Sequence, residues 1–566
     1  MKRRNFLWKS LLFIFGFFFG YTVKTEGDNM VFQRLDSRIF KGDNEKSIVN
    51  NSENTIKFIH PTGTSNDSTN INNLLSNGNG KFIFKTGTYN IEEDIIIKSN
   101  STLEFEEGAI FNKNPSRFKE YNILFLQDVS NVTILNPTII GDKHSHKGTT
   151  GEWGHGITLQ GTTNVKIHNA KVIECWGDGI YIGAVPMQGT RFSGNTWINK
   201  VICDDNRRNG LTVASVKGLY VQNSQFNNTT GVDPQAGIDF EPDNDTMFLE
   251  GIVFDNILLK NNGKRGVFYC LWLLFGDKDD SPIKNVSITM NNIKSEGGLF
   301  GHETLMSNFT GNAGGDYYNR VAIKNLNGEI ILNNCETKNN LKNGIRLYRW
   351  YDVGLKITFN NFKLFYPNAE KGKDLEGNAA ISLFDPNEST TPSTYNLGGV
   401  EFNNLNVIHA SEDPLKKSII VNDITNKNPA TSFILRNTKN INGTITFSQM
   451  LDESCMVIDQ NKVHKLVDTV SSPVGFDNNF YTIISNKGAT TTITKTLDAT
   501  KMHNEEITFL NEENQSYIIN CIAGQSFFPF ESTSFTLTGI GSKITVKKIS
   551  DTSWVVTNIF GKWTKA

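Results

Sequence analysis

The segment VKIHNAKV at residues 165–172 contains the pattern on which the chain is built. Apolar residues alternate with polar ones, as in a β-strand with one buried face, and an asparagine then precedes a second apolar position. Copies recur around Asn136, Asn169, Asn199, Asn223, Asn256, Asn292, Asn325, Asn361 and Asn404. The repeat predicts a strand, a bend at the asparagine and a second strand in each copy.

Stacking explains why the pattern is repeated. One unit cannot bury its apolar face alone, whereas stacked units bury a continuous core. Asparagine tolerates the backbone of a tight bend, and its side-chain amide can bond to the next copy. The sequence shows neither heptads nor alternating strand and helix patterns. We therefore predict an all-β protein whose main part is a parallel β-helix.

A second series, in which a glycine precedes alternating apolar residues, is interleaved with the first. It occurs at residues 155–160, 178–183, 209–214, 236–241, 265–270 and 343–348. Because alternate strand residues point to opposite faces, the positions two and four after each glycine should share one outer, solvent-facing strip. This strip would carry Asp239 and Glu241 side by side, in line with Thr158, Tyr181 and Thr212.

Charge and cysteine content narrow the classes of partner. The formal net charge is −2, which argues against a basic nucleic-acid surface, so we expect no nucleic-acid partner. The six cysteines are dispersed, without CxxC or zinc-ligand spacing. We expect buried free thiols, with no structural metal and no disulfide framework.

The N-terminus predicts export. Residues 1–30 combine a basic head with an apolar run, and KRRNFLWKS resembles a twin-arginine signal through Arg3 and Arg4, with Trp8 departing from that pattern. No small-x-small cleavage site follows, so the segment is either a removed signal or a retained membrane anchor. We expect a secreted or cell-surface protein, with residues 31–54 as a linker.

The stretch NGNGKFIFKTGTYNIEEDIIIKSNSTLEFEEGAIF at residues 77–111 resembles the entry coils of pectate-lyase-type proteins. With the repeats, residues 55–465 resemble a pectin-lyase-like β-helix with an N-terminal cap, of a bacterial and phage subgroup. That resemblance implies a right-handed parallel β-helix. Some members are polysaccharide lyases, hydrolases or epimerases, and others are phage tailspikes.

The asparagine pattern stops near Ser471, where threonine-rich alternating segments begin. We predict a small antiparallel β domain, similar to a sandwich, over residues 471–566. It resembles the C-terminal modules of phage tailspikes, and this resemblance implies a homotrimer.

The outer strip predicts an active site for a polysaccharide. Asp239 and Glu241 would lie about 6.6 Å apart along the strand, within the roughly 6.5–9.5 Å of an inverting glycoside hydrolase. We predict Asp178 and Asp239 as acid and base, Glu241 as an assisting carboxylate, and His155 and Arg208 as groups that bind or orient the substrate. The set resembles that of polygalacturonases, but no paired aspartate precedes the GDG at 177–179.

Further residues and two other functions complete the prediction. Substrate-binding candidates are Arg207, Tyr181, Trp176, Glu152 and Gln235, and GHETLM at 301–306 is another candidate lining of the groove. One alternative is a uronate lyase or epimerase.

In that alternative His155 would be the base, Arg208 would stabilise the developing charge, and the acids would hold Ca²⁺; a hydrolase would need no cofactor. The other alternative is a non-catalytic, tailspike-like glycan-binding protein.

Overall fold

The structure is a computed structural model of the 566-residue chain. It describes residues 21–26, 29–34, 55–186, 191–275, 282–306, 324–365, 379–385, 395–409, 417–423, 430–436, 444–447, 456–457, 465–467, 471–473, 483–499, 507–550 and 552–566. The chain divides into two compact units, Met1–Asn54 and Thr55–Ala566.

The described part of the first unit is an antiparallel hairpin. Its strands are Tyr21–Glu26 and Asn29–Arg34, and Tyr21 pairs with Arg34. The hairpin covers the end of the predicted export segment and the start of the predicted linker, whose other residues lie outside the described ones. Within the described ranges, no helix is long and apolar enough to cross a membrane.

Most of the second unit is a stack of parallel strands in three ladders. The first ladder contains Thr55–Ile59, Gly80–Phe84, Ser101–Phe105, Ser130–Leu135, Thr163–His168, Ser193–Asn199, Val216–Asn227, Leu249–Lys260, Lys284–Glu296, Leu326–Asn333, Gly354–Asn360, Gly398–Asn403, Thr431–Arg436 and Met456–Val457. The second ladder contains Gly87–Ile91, Ala109–Lys113, Thr138–Ile140, Lys171–Ile173, Ile202–Asp204, Glu336–Lys338, Lys363–Phe365 and Asn406–Ile408, joined by the C-terminal halves of three long strands of the first.

The third ladder carries the glycine series. It contains Ile95–Ile96, Glu120–Gln127, Trp153–Gln160, Ile180–Gly183, Leu211–Val213, Ala236–Phe240, Arg265–Cys270, Phe300–Leu305, Asn343–Tyr348, Ile381–Asp385, Lys417–Asp423 and Thr444–Phe447. Neighbouring strands are parallel in each ladder, as in the pairs Val165 with Thr196 and Ile157 with Ile180. The parallel β-helix predicted from the repeat is confirmed.

Asparagines with a left-handed backbone form the bend between the first and second ladders. Asn169, Asn223 and Asn256 have φ of 54°, 51° and 56°. The side-chain amide of Asn169 donates to Oδ1 of Asn136 at 2.9 Å, and that of Asn256 donates to Oδ1 of Asn223 at 2.8 Å. These bonds link successive coils, as the repeat predicted.

Two of the predicted bend positions were wrong. The left-handed residue after the strand ending at Asn199 is Lys200, with φ of 56°. Farther along, the bend residue is Asn334, with φ of 55°, and its Oδ1 accepts a bond from Asn361 at 3.0 Å. Asn325 instead lies buried just before its strand. A weak copy of the pattern nine residues too early misplaced this bend.

The inward-facing apolar residues of all three ladders form one continuous core. Phe84 and Phe105 stack inside it with ring centroids 4.5 Å apart. The helix Ser68–Leu75 adds Ile71 and Leu75 to the same core beside the first coils, where a cap was expected. Each such buried side chain contributes about 1.5–3 kcal/mol to stability.

The cysteines behave as small apolar residues. Cys175, Cys203, Cys270, Cys335 and Cys521 are buried and free. Cys455 lies outside the described residues. In the described part of the chain, the expectation of buried free thiols is therefore met.

Two further sheets with their own core follow the solenoid. One sheet contains Lys465–Val467, Ile483–Ser485, Ile507–Leu510, Ser526–Phe528, Lys543–Ser550 and Ser553–Phe560; the other contains Ser472–Pro473, Ile493–Leu497, Tyr517–Cys521, Ser534–Leu537 and Trp563–Lys565. Antiparallel pairs, such as Ile507 with Val546, join the later strands, as predicted for this domain. Parallel pairs also occur, both between earlier strands, as Ile483 with Thr508, and between later ones, as Phe527 with Trp554.

The asparagine bend can be tested at Asn256. Asn256→Gly and Asn256→Ala both lose the bond to Asn223, but only alanine also bears the cost of a left-handed backbone. We expect Asn256→Ala to lower the free energy of unfolding, measured in urea, by about 1 kcal/mol more than Asn256→Gly does. At Asn291, inside the strand Lys284–Glu296, glycine should be the more damaging substitution. Equal losses at Asn256 would contradict this account.

Candidate active site

A glycine in the third ladder lies against the next coil in each of several successive turns. A Cβ on Gly156 would lie 2.7 Å from the carbonyl oxygen of Gly179, and a Cβ on Gly179 would lie 2.7 Å from that of Gly210. The same contact, at 2.5–2.9 Å, recurs at Gly210, Gly237, Gly266 and Gly301. Any larger residue would collide with backbone there, so glycine permits the close approach of the coils.

The strands beside these contacts keep the register predicted from the sequence. Thr158 pairs with Tyr181, Tyr181 with Thr212, Thr212 with Asp239, and Asp239 with Phe268. From here on, the outer strip means this column, which holds the residue two positions after each glycine. It brings side chains that are distant in the chain onto adjacent coils.

Glu303 also belongs to the outer strip, although its strand was not predicted as a member of the glycine series. Phe268 pairs with Glu303, and Glu303 pairs with Arg346. Its glycine, Gly301, makes the same contact as the others. The inward positions of this strand hold His302 and Thr304 rather than apolar residues, which disguised the pattern. The GHETLM segment, noted only as a candidate groove lining, was the available signal.

The outer strip faces away from the core, but the prediction that it is solvent-facing was wrong. Asp239 is 0% exposed and Thr212 is 1% exposed. Next to them Phe268 and Cys270 form a small separate apolar cluster, against which Trp272 packs, and Asn209 bonds to Asp239. Strand alternation alone could not predict these contacts or the burial that accompanies them.

Arg208 is the centre of the candidate site. Its Nη1 lies 3.3 Å from Oδ2 of Asp178 and its Nε lies 3.5 Å from Oε2 of Glu152. Its Nη2 donates to the carboxylate of Glu241. The side chain is only 10% exposed, and a guanidinium so deeply buried needs such countercharges. Acids from three different coils thus meet at one cation.

Asn209 connects Asp178 to Asp239. Its backbone N–H donates to Oδ1 of Asp178 at 3.1 Å, and its side-chain Nδ2 donates to Oδ2 of Asp239 at 2.9 Å. The other oxygen of Asp239, Oδ1, is buried and accepts no hydrogen bond from any described residue. A carboxylate left in that state would be costly, so the environment favours the protonated acid.

Burial sets the protonation of both aspartates. It raises the pKa of Asp239 well above its ordinary value; the charge of Glu241 raises it further and Arg208 partly offsets the rise. Burial also raises the pKa of Asp178, to about 6, against the lowering effect of Arg208. At neutral pH, Asp239 is therefore the group that holds a proton.

His155 is neutral and held in place. Burial, followed by the charge of Arg208, lowers its pKa to about 3. The ring stacks on Tyr181 with centroids 5.2 Å apart, and Nδ1 accepts the backbone N–H of Asp178 at 3.1 Å. A neutral imidazole has one lone pair for accepting, so the proton sits on Nε2. His155 is thus set up as a donor, not as the base that the lyase alternative requires.

Trp176 and Arg207 form a separate cluster beside the site. Arg207 lies with Cζ 3.8 Å from the centre of the Trp176 ring, and the ring of His146 stacks on it at 3.8 Å. Trp176 is 8% exposed, so it does not offer the open sugar platform expected of it. Arg207 donates to the carbonyl oxygen of Gly151 at 2.6 Å, next to Glu152, and so steadies the segment that reaches Arg208.

Of the other predicted substrate-binding residues, two lie at the candidate site and one does not. Glu152 and Tyr181 are partly exposed and lie at the site, through Arg208 and His155 respectively. Gln235 precedes the strand of Asp239, and its backbone carbonyl accepts the N–H of Arg265 at 3.3 Å. No contact joins Gln235 to Arg208 within the described ranges.

One group in the described part of the chain has metal-ligand geometry, namely His144, Glu174 and Asp205. It lies outside the candidate site, and Nζ of Lys143 already pairs with Asp205 at 2.5 Å. At the site itself, a guanidinium stands between the carboxylates that the lyase alternative assigned to Ca²⁺.

Comparisons with known proteins give partial matches. No protein-family model matches the chain. Over 161 residues it is 33% identical to the SPbeta prophage-derived uncharacterized protein YorA of Bacillus subtilis, covering 26% of this chain and 28% of that protein. The chain therefore spans less than a third of that relative's length.

Solved structures that resemble this chain share little sequence identity with it. An endo-xylogalacturonan hydrolase from Aspergillus tubingensis is 12% identical with a TM-score of 0.42, over 70% of this chain and 100% of that one. A ι-carrageenase complexed to ι-carrageenan fragments is 11% identical with a TM-score of 0.43, over 61% and 94%.

The pKa of Asp178 predicts a pH dependence of stability. The unfolded residue titrates near 3.8 and the folded one near 6, so the folded state binds the extra proton between these values. Stability from this group is greatest below about pH 4 and is lost as the pH rises through 6, by about 3 kcal/mol. The free energy of unfolding, measured in urea at pH values from 4 to 7, should fall more steeply with rising pH for the wild type than for Asp178→Asn. Equal slopes of unfolding free energy against pH in the two proteins would refute the raised pKa of Asp178.

Proposed function

We propose that the protein is a polysaccharide-degrading enzyme, specifically a glycoside hydrolase, with Asp239 as the acid and Glu241 as the base. One observation carries the proposal: a buried carboxyl with a raised pKa and an unbonded oxygen lies two residues along a strand from a carboxylate that is ion-paired with Arg208. Opposite protonation of two neighbouring acids is what glycoside hydrolysis requires.

The proposed reaction uses the two acids in turn. Asp239 gives its proton to the glycosidic oxygen as the bond from that oxygen to the anomeric carbon breaks. Water attacks the same carbon, and Glu241 takes the proton that the water loses. Exchange with solvent then returns the proton to Asp239 and removes it from Glu241.

Asp178 has a positioning role in this proposal. Its two carboxylate oxygens already interact with the N–H of Asn209 and with Arg208, and the residue is fully buried. Substrate enters from the side where Glu152, Tyr181 and Glu241 are partly exposed, and reaches Asp239 when Arg208 moves off Glu241. Arg208 thus governs access as well as charge.

Substitution of Asp239 tests the proposal. Asp239→Asn keeps the size and removes the transferable proton, so release of reducing ends from a panel of polysaccharides should fall by about 100-fold to 10,000-fold. Asp255→Asn is the matched control, because Asp255 lies on the first ladder, where it accepts a bond from Asn292 at 2.8 Å. Unchanged turnover by folded Asp239→Asn would refute the assigned acid.

The same assay separates the alternative functions. A uronate lyase would give products that absorb near-ultraviolet light, and an enzyme that needs Ca²⁺ would lose activity in chelator. A hydrolase gives reducing ends with neither effect. Binding without any cleavage, unchanged in Asp239→Asn, would point to the glycan-binding alternative.

Export and assembly are further parts of the proposal. We infer from the N-terminal sequence that the protein acts outside the cytoplasm, either released or anchored by residues 1–30. Cell fractionation followed by N-terminal sequencing distinguishes the two. A homotrimer is proposed from the C-terminal module, and light scattering of the purified chain tests it.

A further inference from the structure

Beyond the acids, one buried carboxylate of the outer strip fixes a pair of arginines, of which Arg346 lies on the strip and Arg265 lies at the start of the strand before it. Glu303 has a side chain only 4% exposed, and Nε of Arg265 and Nη1 of Arg346 both donate to it, the latter at 2.9 Å. Arg265 comes from the preceding coil and Arg346 from the following one. Two guanidinium groups facing one carboxylate leave a net positive charge.

Aromatic rings hold both arginines against the strip. Cζ of Arg265 lies 4.2 Å from the ring centre of Phe268, and Cζ of Arg346 lies 4.4 Å from that of Tyr348. Both side chains keep a solvent-facing portion, 17% and 28% exposed. Stacking restricts their motion, so little conformational freedom is left to lose when a ligand binds.

The arginines also have hydrogen-bond donors to spare. A guanidinium offers five N–H groups. Arg265 uses Nε on Glu303 and Nη1 on the carbonyl oxygen of Pro234, and Arg346 uses Nη1 on Glu303. Among the residues that the structure describes, Nη2 of Arg265 and both Nε and Nη2 of Arg346 have no acceptor. Planar groups with free paired donors are suited to carboxylate or sulfate.

The pair lies in line with the proposed acid. Asp239, Phe268, Glu303 and Arg346 occupy four successive coils, which places Arg346 about 14 Å from Asp239 along the strip. A polymer bound along the strip would reach both places. The acids around Arg208 and the arginines around Glu303 therefore lie within the span of one chain of a few sugar units.

We propose that Arg265 and Arg346 form a subsite for an anionic substituent, carboxylate or sulfate, of the bound polysaccharide. The inference rests on the proposed function for the direction of the glycan along the strip. It makes the substrate an acidic polysaccharide, held at a distance from the bond that is cleaved.

Binding in the Asp239→Asn background tests the subsite without turnover. The probes are oligogalacturonates, sulfated galactan oligosaccharides, and their carboxyl-reduced and desulfated counterparts, measured by calorimetry at two salt concentrations. We expect at least one anionic probe to bind about tenfold or more tightly than its neutral counterpart, with affinity falling as salt rises. Which of the two binds identifies the substituent.

Arg346→Gln should remove most of that preference, and Arg346→Lys should restore only part of it, because lysine keeps the charge without the planar donors. Arg265→Gln provides a second variant if the first unfolds, as thermal unfolding would reveal. The matched control is Arg436→Gln, since Arg436 pairs with Glu401 on the first ladder. It should bind like the parent.

The outcomes are distinguishable from those for the proposed function. Equal affinity for anionic and neutral probes, no binding of any probe, or equal losses in Arg346→Gln and Arg436→Gln would overturn the subsite. Loss of the preference for anionic probes in Arg346→Gln would support the subsite. Full activity of Asp239→Asn would refute only the assigned acid and would leave the subsite standing.

Discussion

The structure depends on how closely successive coils approach at the glycines of the third ladder. A carbonyl oxygen of the next coil lies 2.5–2.9 Å from the place where a Cβ would be. Only glycine allows this distance, and with it the coils keep one register. That register puts Thr158, Tyr181, Thr212 and Asp239 in one column although they are separated by many residues in sequence. The approach of Asp239 to side chains from the neighbouring coils depends on this alignment.

Charge compensation is the second constraint, and it explains how acids are tolerated beneath the surface. Arg208 neutralises acids that three coils contribute, and Asp239 is accommodated by retaining a proton. Farther along the strip the charges are reversed, because one buried carboxylate, Glu303, pairs with two arginines. Alternation of sign along the outer strip gives it an acidic part and a basic part.

The sequence predicted what depends on local periodicity. The asparagine and glycine series indicated the solenoid, the register of Asp239 and the proximity of Asp178, Arg208 and Glu241. It could not predict what depends on packing between distant segments, namely the burial of the strip or the covering of Trp176 by His146 and Arg207.

Errors arose where a pattern was broken by an unusual residue. The glycine series does not predict Glu303, because His302 and Thr304 occupy the inward positions where apolar residues are expected. The weak copy of the motif at Asn325 predicts a bend nine residues before the one observed at Asn334. In the C-terminal sheets, alternating threonine-rich strands do not reveal whether neighbours run parallel or antiparallel, because both arrangements have the same period of two.

In the proposed mechanism, the position of Arg208 couples ligand occupancy to proton uptake. While the guanidinium stays between Asp178 and Glu241, their negative charges are balanced. A ligand that draws the guanidinium aside leaves the charge of Glu241 uncompensated beside Asp178, and that charge, with burial, favours capture of a proton by Asp178. Affinity should therefore vary with pH even for an uncharged sugar, because Asp178, and not the ligand, takes up the proton.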